Sequence, residues 1–146
     1  MKTIAVDIAI SLLLLLGIIW YIQQDQPSDV LIELSDYNGA SIQLQDPSII
    51  LFWATWSKPS QRDLQVLKRF HKKYPNQQVL GVYSNLDSPE SVQRLQSSLD
   101  IQYPLVTTTV FPEHIPLTII IKDQQQIILQ ESLDYQKLIS LLDLNF

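Results

Sequence analysis

The sequence predicts an α/β domain, in which a mixed β-sheet is flanked by helices, preceded by one N-terminal helix that crosses a membrane. Two observations carry this prediction. An apolar run opens the chain at 4–22, and strand-like and helix-like segments then alternate before a strand hairpin and a closing helix. The 146 residues have room for one such domain and one appended segment.

The first segment has the length and composition of a membrane anchor. Residues 4–22 (IAVDIAISLLLLLGIIWYI) would extend over about 28 Å as a helix, close to the thickness of a bilayer's hydrocarbon core. A cleaved signal peptide is the alternative, but it needs small residues at its end, whereas this run ends in large residues such as Trp20 and Tyr21. Lys2 precedes the run and acidic residues follow it, so the N-terminus is expected in the cytoplasm.

The predicted anchor divides the chain into four parts. They are a cytoplasmic stub at 1–3, the anchor at 4–22, a polar tether at 23–29 and a domain at 30–146. The protein is therefore expected to be a single-pass protein of the cell inner membrane, with its C-terminal domain facing the periplasm.

Composition excludes several classes of function. The chain has 10 Lys and Arg residues against 15 Asp and Glu, a net charge of −5, which has the wrong sign for binding a nucleic-acid backbone. The absence of cysteine excludes a disulfide, a thiolate nucleophile, an iron–sulfur cluster and a Cys/His zinc site. Three glycines leave no material for a glycine-rich nucleotide loop. We therefore expect no metal, no cofactor and no nucleic-acid partner.

The domain opens with a predicted hairpin and a buried strand. Residues 30–34 and 41–44 alternate in polarity around Asn38-Gly39, a pair that readily adopts the positive φ angles of a tight turn. The continuous apolar run at 49–53 is typical of a strand that is covered on both faces.

Two helices and a further strand come next. Apolar residues at helical spacing predict a helix over 58–74, and Pro75 ends it. Residues 79–83 predict another buried strand. Ser88 then offers an N-cap with Pro89 in the first turn of a second helix.

The chain closes with a second hairpin and a third helix. Residues 117–121 and 127–129 are predicted strands joined by the polar segment KDQQQ. Asp134 can cap a last helix, whose apolar residues are Leu138, Ile139, Leu141 and Leu142. This order of elements predicts a mixed sheet with both parallel and antiparallel pairs.

The most specific segment of the chain is FWATWSKPS, from Phe52 to Ser60. It resembles the FWATWCxPC signature of the membrane-anchored thioredoxin-like proteins, the TlpA and cytochrome-c-maturation group, with serine at both cysteine positions. Ile115-Pro116-Leu117-Thr118 is similar to the cis-proline segment of that group. The resemblance covers residues 30–142. It implies a thioredoxin-like fold and, in the family, thiol-disulfide oxidoreductase activity.

Serine at both positions removes that activity. A cysteine at a helix N-terminus is stabilised as a thiolate, and a second cysteine one turn later resolves the mixed disulfide. A hydroxyl is a far weaker acid and has no stable oxidised form of this kind, so Ser57 and Ser60 cannot exchange disulfides and are better explained by a helix N-cap. Paired substitution of cysteine by serine is also used to inactivate redox proteins deliberately. A thiol-disulfide oxidoreductase whose native sequence has cysteine at positions 57 and 60 therefore remains an alternative.

The resemblance further implies a groove that binds peptides. In the family, the backbone before the cis-proline pairs with an extended peptide, and the aromatic residue before the first cysteine forms a wall. Here these residues are Ile115 and Trp56, and Ser57, Pro59 and Pro116 complete the candidate groove. Such pairing needs no thiol. The sequence thus favours a redox-inactive module that binds or assembles an extracytoplasmic protein or peptide, although the same residues can also serve packing alone.

A hydrolase is a further alternative. Ser57 and His114, with Glu113 next to it, would supply the nucleophile, the base and the acid of a catalytic triad. His71 is out of reach, since it lies about 16 Å along the predicted helix from Ser60. No segment supplies an evident oxyanion hole.

The first long helix has a basic face. It either docks on anionic lipid headgroups near the tether or is a solvated surface, and solvation is the simpler interpretation. Its residues are Arg62, Lys68, Arg69, Lys72 and Lys73.

Overall fold

The computed structural model describes Leu34 and residues 41–144, and their helices and strands follow the predicted alternation. Apart from β3, which was not predicted, the elements begin within two residues of the expected positions. In chain order they are β1 (Ser48–Trp53), α1 (Lys58–Lys73), β2 (Gln78–Ser84), α2 (Pro89–Leu99), β3 (Leu105–Thr108), β4 (Leu117–Lys122), β5 (Gln125–Leu129) and α3 (Tyr135–Leu141).

The five strands form one mixed sheet in the order β3-β2-β1-β4-β5. β1, β2 and β3 are parallel, whereas β4 is antiparallel to β1 and β5 is antiparallel to β4. β1 is the central strand and all six of its residues are buried, which confirms the buried strand predicted at 49–53. The mixed sheet with flanking helices is therefore confirmed.

The main core lies between the sheet and the helices. Strand residues such as Leu51 and Trp53 pack in one cluster with Leu64 and Phe70 of α1 and Leu138 of α3. The three helices are linked over this face, because α1 contacts α3 and the Lys68 ammonium of α1 donates to the carbonyl of Leu99 at the end of α2. The alternate strand residues are buried on the opposite face, among them Ile50, Phe52, Leu80 and Val82.

β3 is an element that the sequence analysis missed. It has only four residues, and it pairs in parallel with β2, where Val106 lies opposite Val82. Tyr103, just before it, is buried, and its hydroxyl donates to the carbonyl of Leu64 at 3.0 Å. Burial raises the pKa of this hydroxyl. A strand this short gives no periodic signal of its own and is defined by its partner strand.

The second hairpin has a shorter turn than expected. The KDQQQ segment is largely strand, and the turn residues Asp123 and Gln124 both have positive φ angles, 53° and 60°. Their amides donate to the two carboxylate oxygens of Asp46, at 3.0 and 2.8 Å. This distant carboxylate supports a turn that contains no glycine.

The predicted opening hairpin is described only in part. The Ile42 amide donates to the Leu34 carbonyl at 2.9 Å, but Ser41 forms an isolated bridge, so the expected strand at 41–44 is not found. The rest of this hairpin, and the predicted stub, anchor and tether at 1–29, lie outside the described residues. Within the described part, no helix is long and apolar enough to span a bilayer.

Candidate functional site

The start of α1 contains the two serines of the resemblance. Ser57 is the N-cap residue, with φ −90° and ψ 107°, and its Oγ accepts a hydrogen bond from the amide of Ser60 at 3.3 Å. Pro59 lies in the first turn, where the missing N–H of proline leaves no helical hydrogen bond unmade. The cap expected from the sequence is confirmed at Ser57, since this short segment contains all that is needed to begin a helix.

The two serine side chains bond to each other. The Ser60 hydroxyl donates to the Ser57 Oγ at 2.9 Å, and both side chains are buried. Among the described residues, no hydrogen bond joins either hydroxyl to a histidine or a carboxylate. A serine nucleophile needs such a base, so this pair is a satisfied structural contact without an activating partner.

The hydrolase alternative finds no support in this geometry. The Ser57 hydroxyl is engaged with Ser60, while His114 and Glu113 are exposed. His71 packs edge-on against Tyr103 in the last turn of α1, away from the cap. In the described part of the chain, no group of three or more His, Asp or Glu residues is placed to hold a metal ion.

Asp87 holds the loop between β1 and α1 in place. Its carboxylate accepts hydrogen bonds from the Thr55 amide at 3.3 Å and the Thr55 hydroxyl at 3.0 Å. The Gln61 side chain donates to the Thr55 carbonyl at 2.7 Å, and the Ser57 amide donates to the Ala54 carbonyl at 3.1 Å. Sequence reasoning missed this clamp, because Asp87 lies in the loop after β2 and only the parallel pairing of β1 and β2 brings the loops together.

Trp56 stands out from this fixed loop. Its side chain is 75% exposed, although tryptophan is usually well buried. It forms one side of a shallow groove of about 380 Å³ against α2. The residues around this groove are Thr55, Trp56, Ser91, Arg94, Leu95 and Ser98.

Ile115 and Pro116 lie at the same end of the sheet as the serines. The peptide bond between them is cis, which agrees with the segment that the resemblance implies. The next residue, Leu117, pairs with Phe52 near the end of β1, just before the loop that leads to Ser57. The fold therefore brings the candidate groove residues to one end of the sheet, with Trp56 turned toward α2. That they bind a peptide stays a prediction.

Exposed apolar side chains are grouped at this end of the sheet. Leu86 is 90% exposed and Val110 is 78% exposed. Together with Trp56 they form what we call the apolar edge, because each follows the carboxyl end of one of the parallel strands β1, β2 and β3. Ile128, 56% exposed, lies apart from them on β5. Strongly exposed apolar side chains in neighbouring loops make this end of the sheet a candidate interaction surface.

Asp63 is a buried acid one turn after Ser60, on the core side of α1. Neither carboxylate oxygen has a partner of full hydrogen-bond geometry among the described residues. Burial raises the pKa of Asp63, and the backbone of Leu133 and the Arg62 guanidinium lower it by less.

The variant Asp63→Asn is expected to remove a pH dependence of stability. Because the folded-state pKa is raised, Asp63 stabilises the fold fully below its unfolded-state pKa of about 3.9, and this contribution is lost as the pH rises through the folded-state value. Chemical denaturation across the range of about pH 3 to pH 8 should show that the free energy of unfolding of Asp63→Asn increases relative to that of wild type as the pH rises. Glu113→Gln, which removes one exposed carboxylate, is the control for the loss of a negative charge. Parallel profiles for Asp63→Asn and wild type would contradict the assignment.

Comparison with known proteins connects this fold to redox proteins. No model of a known protein family matches the chain. Over 74 residues, half of this chain, it is 30% identical to the thiol-disulfide oxidoreductase ResA of Geobacillus kaustophilus, of which the match spans 39% of the length. The likeness to ResA is therefore partial, and it covers less than half of that relative.

Solved structures match a much larger part of the chain. A secreted disulfide oxidoreductase of Mycobacterium tuberculosis, homologous to E. coli DsbE, superposes with a TM-score of 0.65 over 80% of this chain and 98% of its own, at 14% identity. A thiol:disulfide interchange protein of Chlorobium tepidum matches at 0.63 over 75% and 88%, also at 14% identity. StoA of Bacillus subtilis matches at 0.56 over 72% and 90%, at 16% identity. The chain thus has the thioredoxin-like fold of thiol-disulfide oxidoreductases.

Proposed function

We propose that this protein is a redox-inactive, membrane-tethered module of the TlpA type, which binds an extended polypeptide on the outer side of the cytoplasmic membrane. The observation that carries the proposal is the pair of bonded hydroxyls, Ser57 and Ser60, at the helix start where the family has its cysteines. Two serines cannot accept or pass on electrons as a dithiol does. Without thiols, the function that remains open to this fold is binding through its surface.

The apolar edge supports binding. Trp56 is held out from the domain by the Thr55–Asp87 clamp, so its exposure is built into the loop. A large, rigid aromatic side chain of this kind is a frequent anchor of protein interfaces. The backbone at Ile115 would add main-chain hydrogen bonds to an extended partner.

The sequence and a protein of similar structure support the proposed location of the domain outside the cytoplasm. Residues 4–22 have the length and hydropathy of a membrane span, with a basic residue before it and acidic residues after it. The related oxidoreductase of Mycobacterium tuberculosis is a secreted protein. Both support a domain that works on the periplasmic side.

Site-specific photocrosslinking tests the proposed groove. A photoreactive residue at Ile115, in the full chain in its native membranes, is expected to give one discrete protein adduct, whereas the same probe at the exposed residue Gln136 gives none. Trp56→Ala should reduce the Ile115 adduct by roughly tenfold, with unfolding free energy unchanged within about 0.5 kcal/mol because the side chain is mostly exposed.

Ile128→Ala is the matched control for Trp56→Ala. It removes another exposed apolar side chain, on β5, and should leave the Ile115 adduct intact. Equal crosslinking from Ile115 and Gln136, or an Ile115 adduct that Trp56→Ala does not reduce, would exclude this groove as the binding site.

An active thiol-disulfide oxidoreductase is the second candidate. The partial identity to ResA favours it, provided that the native protein has cysteine at 57 and 60. The native codons decide between the two functions. Serine codons at both positions exclude the oxidoreductase, and cysteine codons exclude the redox-inactive module.

A further inference from the structure

The positive charge of the chain is concentrated on one helix. Six of the 10 Lys and Arg residues lie in α1, and its one acid, Asp63, is buried. The rest of the chain contains four basic residues and 14 acids. An acidic protein therefore presents one strongly basic element.

These cations share one face of α1. At about 100° per residue, Lys58, Arg62, Arg69, Lys72 and Lys73 project within an arc of about 100°, opposite the arc that packs on the sheet. All five are exposed, and they extend over about 22 Å of the helix. We call these five residues the cationic stripe.

Most of the stripe has no counter-charge. Lys58, Arg62, Arg69 and Lys72 form no salt bridge within the part of the chain that the structure describes, whereas Lys68, at the margin of the arc, pairs with Asp100 at 3.1 Å. A helix face that only needs solvation usually alternates its charges, and cations four residues apart, such as Lys58 and Arg62, repel each other and weaken a helix. Two of these cations contact neutral groups, since Arg62 donates to the Ser132 hydroxyl and the Arg69 guanidinium lies over the Tyr135 ring, but neither contact offsets the positive charge.

We infer that the cationic stripe docks on an anionic lipid surface. This inference rests on the proposed membrane tethering. The stripe runs along the convex surface of a straight helix, so it can lie against a flat surface but cannot enclose a small ligand. The seven tether residues at 23–29 span at most about 25 Å when extended, which would keep the domain close to the bilayer. The remainder of this acidic chain is repelled by such a surface, so attraction through the stripe selects one orientation of the domain.

Docking in this orientation would fix the distance between the membrane surface and the candidate groove beside Trp56. The stripe begins at Lys58, next to Ser57 and Trp56, so the apolar edge lies at one end of it. With the stripe on the headgroups, that end opens sideways along the membrane. A partner bound there would be a protein at the membrane surface.

The lack of cysteine makes a direct test possible. A single cysteine at Gln65, the uncharged residue within the arc, can carry a fluorophore in the full chain reconstituted in nanodiscs with headgroup spin-labelled lipid as quencher. Quenching is expected to be at least about twofold stronger with phosphatidylglycerol present than in phosphatidylcholine alone, and to be lost in about 1 M salt, where the Debye length is about 3 Å. A label at Gln126, exposed on β5, should show no such difference.

Charge-neutralising variants complete the test. Lys58→Gln with Lys72→Gln should remove at least about half of the extra quenching at Gln65, while Lys122→Gln with Lys137→Gln, which changes the net charge equally, should not. Equal quenching in both lipids overturns the lipid docking and leaves an acidic protein as the partner of the stripe. A chain that associates with neither type of nanodisc instead overturns the tethering on which the inference rests.

Discussion

Replacing Ser57 and Ser60 together by cysteine is expected to create a disulfide and a measurable thiol-disulfide exchange activity in a chain that now contains no thiol. The two Oγ atoms are 2.9 Å apart in the structure, and small shifts of two side chains bring sulfur atoms to the bonding distance of about 2.05 Å. The amide of residue 60, which donates to the Ser57 Oγ in the present chain, and the helix dipole would stabilise the thiolate at position 57.

The measurement is the reduction of insulin in the presence of dithiothreitol, together with the mass of the oxidised protein. The double variant should lose two hydrogen atoms on oxidation and accelerate insulin reduction by at least about tenfold over the uncatalysed rate. Each single variant, Ser57→Cys or Ser60→Cys, is the matched control, because it has a thiol but no resolving partner. A double variant that folds, keeps both thiols reduced under mild oxidation and has no activity would contradict a degenerate dithiol site.

A larger residue at Gly81 is expected to destabilise the domain strongly. Gly81 lies in β2 with an ordinary strand backbone, so the requirement is for space and not for an unusual φ angle. A Cβ atom at this position would lie 2.6 Å from Cδ2 of Leu105 and 3.1 Å from Nε1 of Trp53. We expect Gly81→Ala to lower the free energy of unfolding by about 1 kcal/mol and Gly81→Val by about 3 kcal/mol.

Strand propensity makes this result informative. Valine is favoured over glycine in strands, so a loss of stability on Gly81→Val reports crowding alone. Gln126→Val, at an exposed position of β5, is the control and should be neutral or stabilising. In a Leu105→Ala background, the penalty of Gly81→Ala should fall, which a double-mutant cycle by urea denaturation measures. Additive effects of the two substitutions would rule out this contact as the cause.

Local signals in the sequence were sufficient for most of the architecture. A cap at Ser57 with Pro59 in the first turn, and Ser88 with Pro89, act within one turn of backbone, and both helices begin where these residues predict. The apolar run of β1 likewise depends only on its own residues. The absence of cysteine alone excludes dithiol chemistry in this chain.

The features that shape the candidate site depend on residues that are distant in the sequence. The strand β3 and the crowded space at Gly81 arise where neighbouring strands pair, and the clamp of Thr55 by Asp87 arises where the loops after two paired strands meet. No single segment of the sequence indicates any of the three. The apolar edge is equally invisible in the sequence, because Trp56, Leu86 and Val110 come from three separate loops. Capping and periodicity are short-range effects that a sequence expresses directly, whereas pairing and packing between elements exist only once the sheet has assembled.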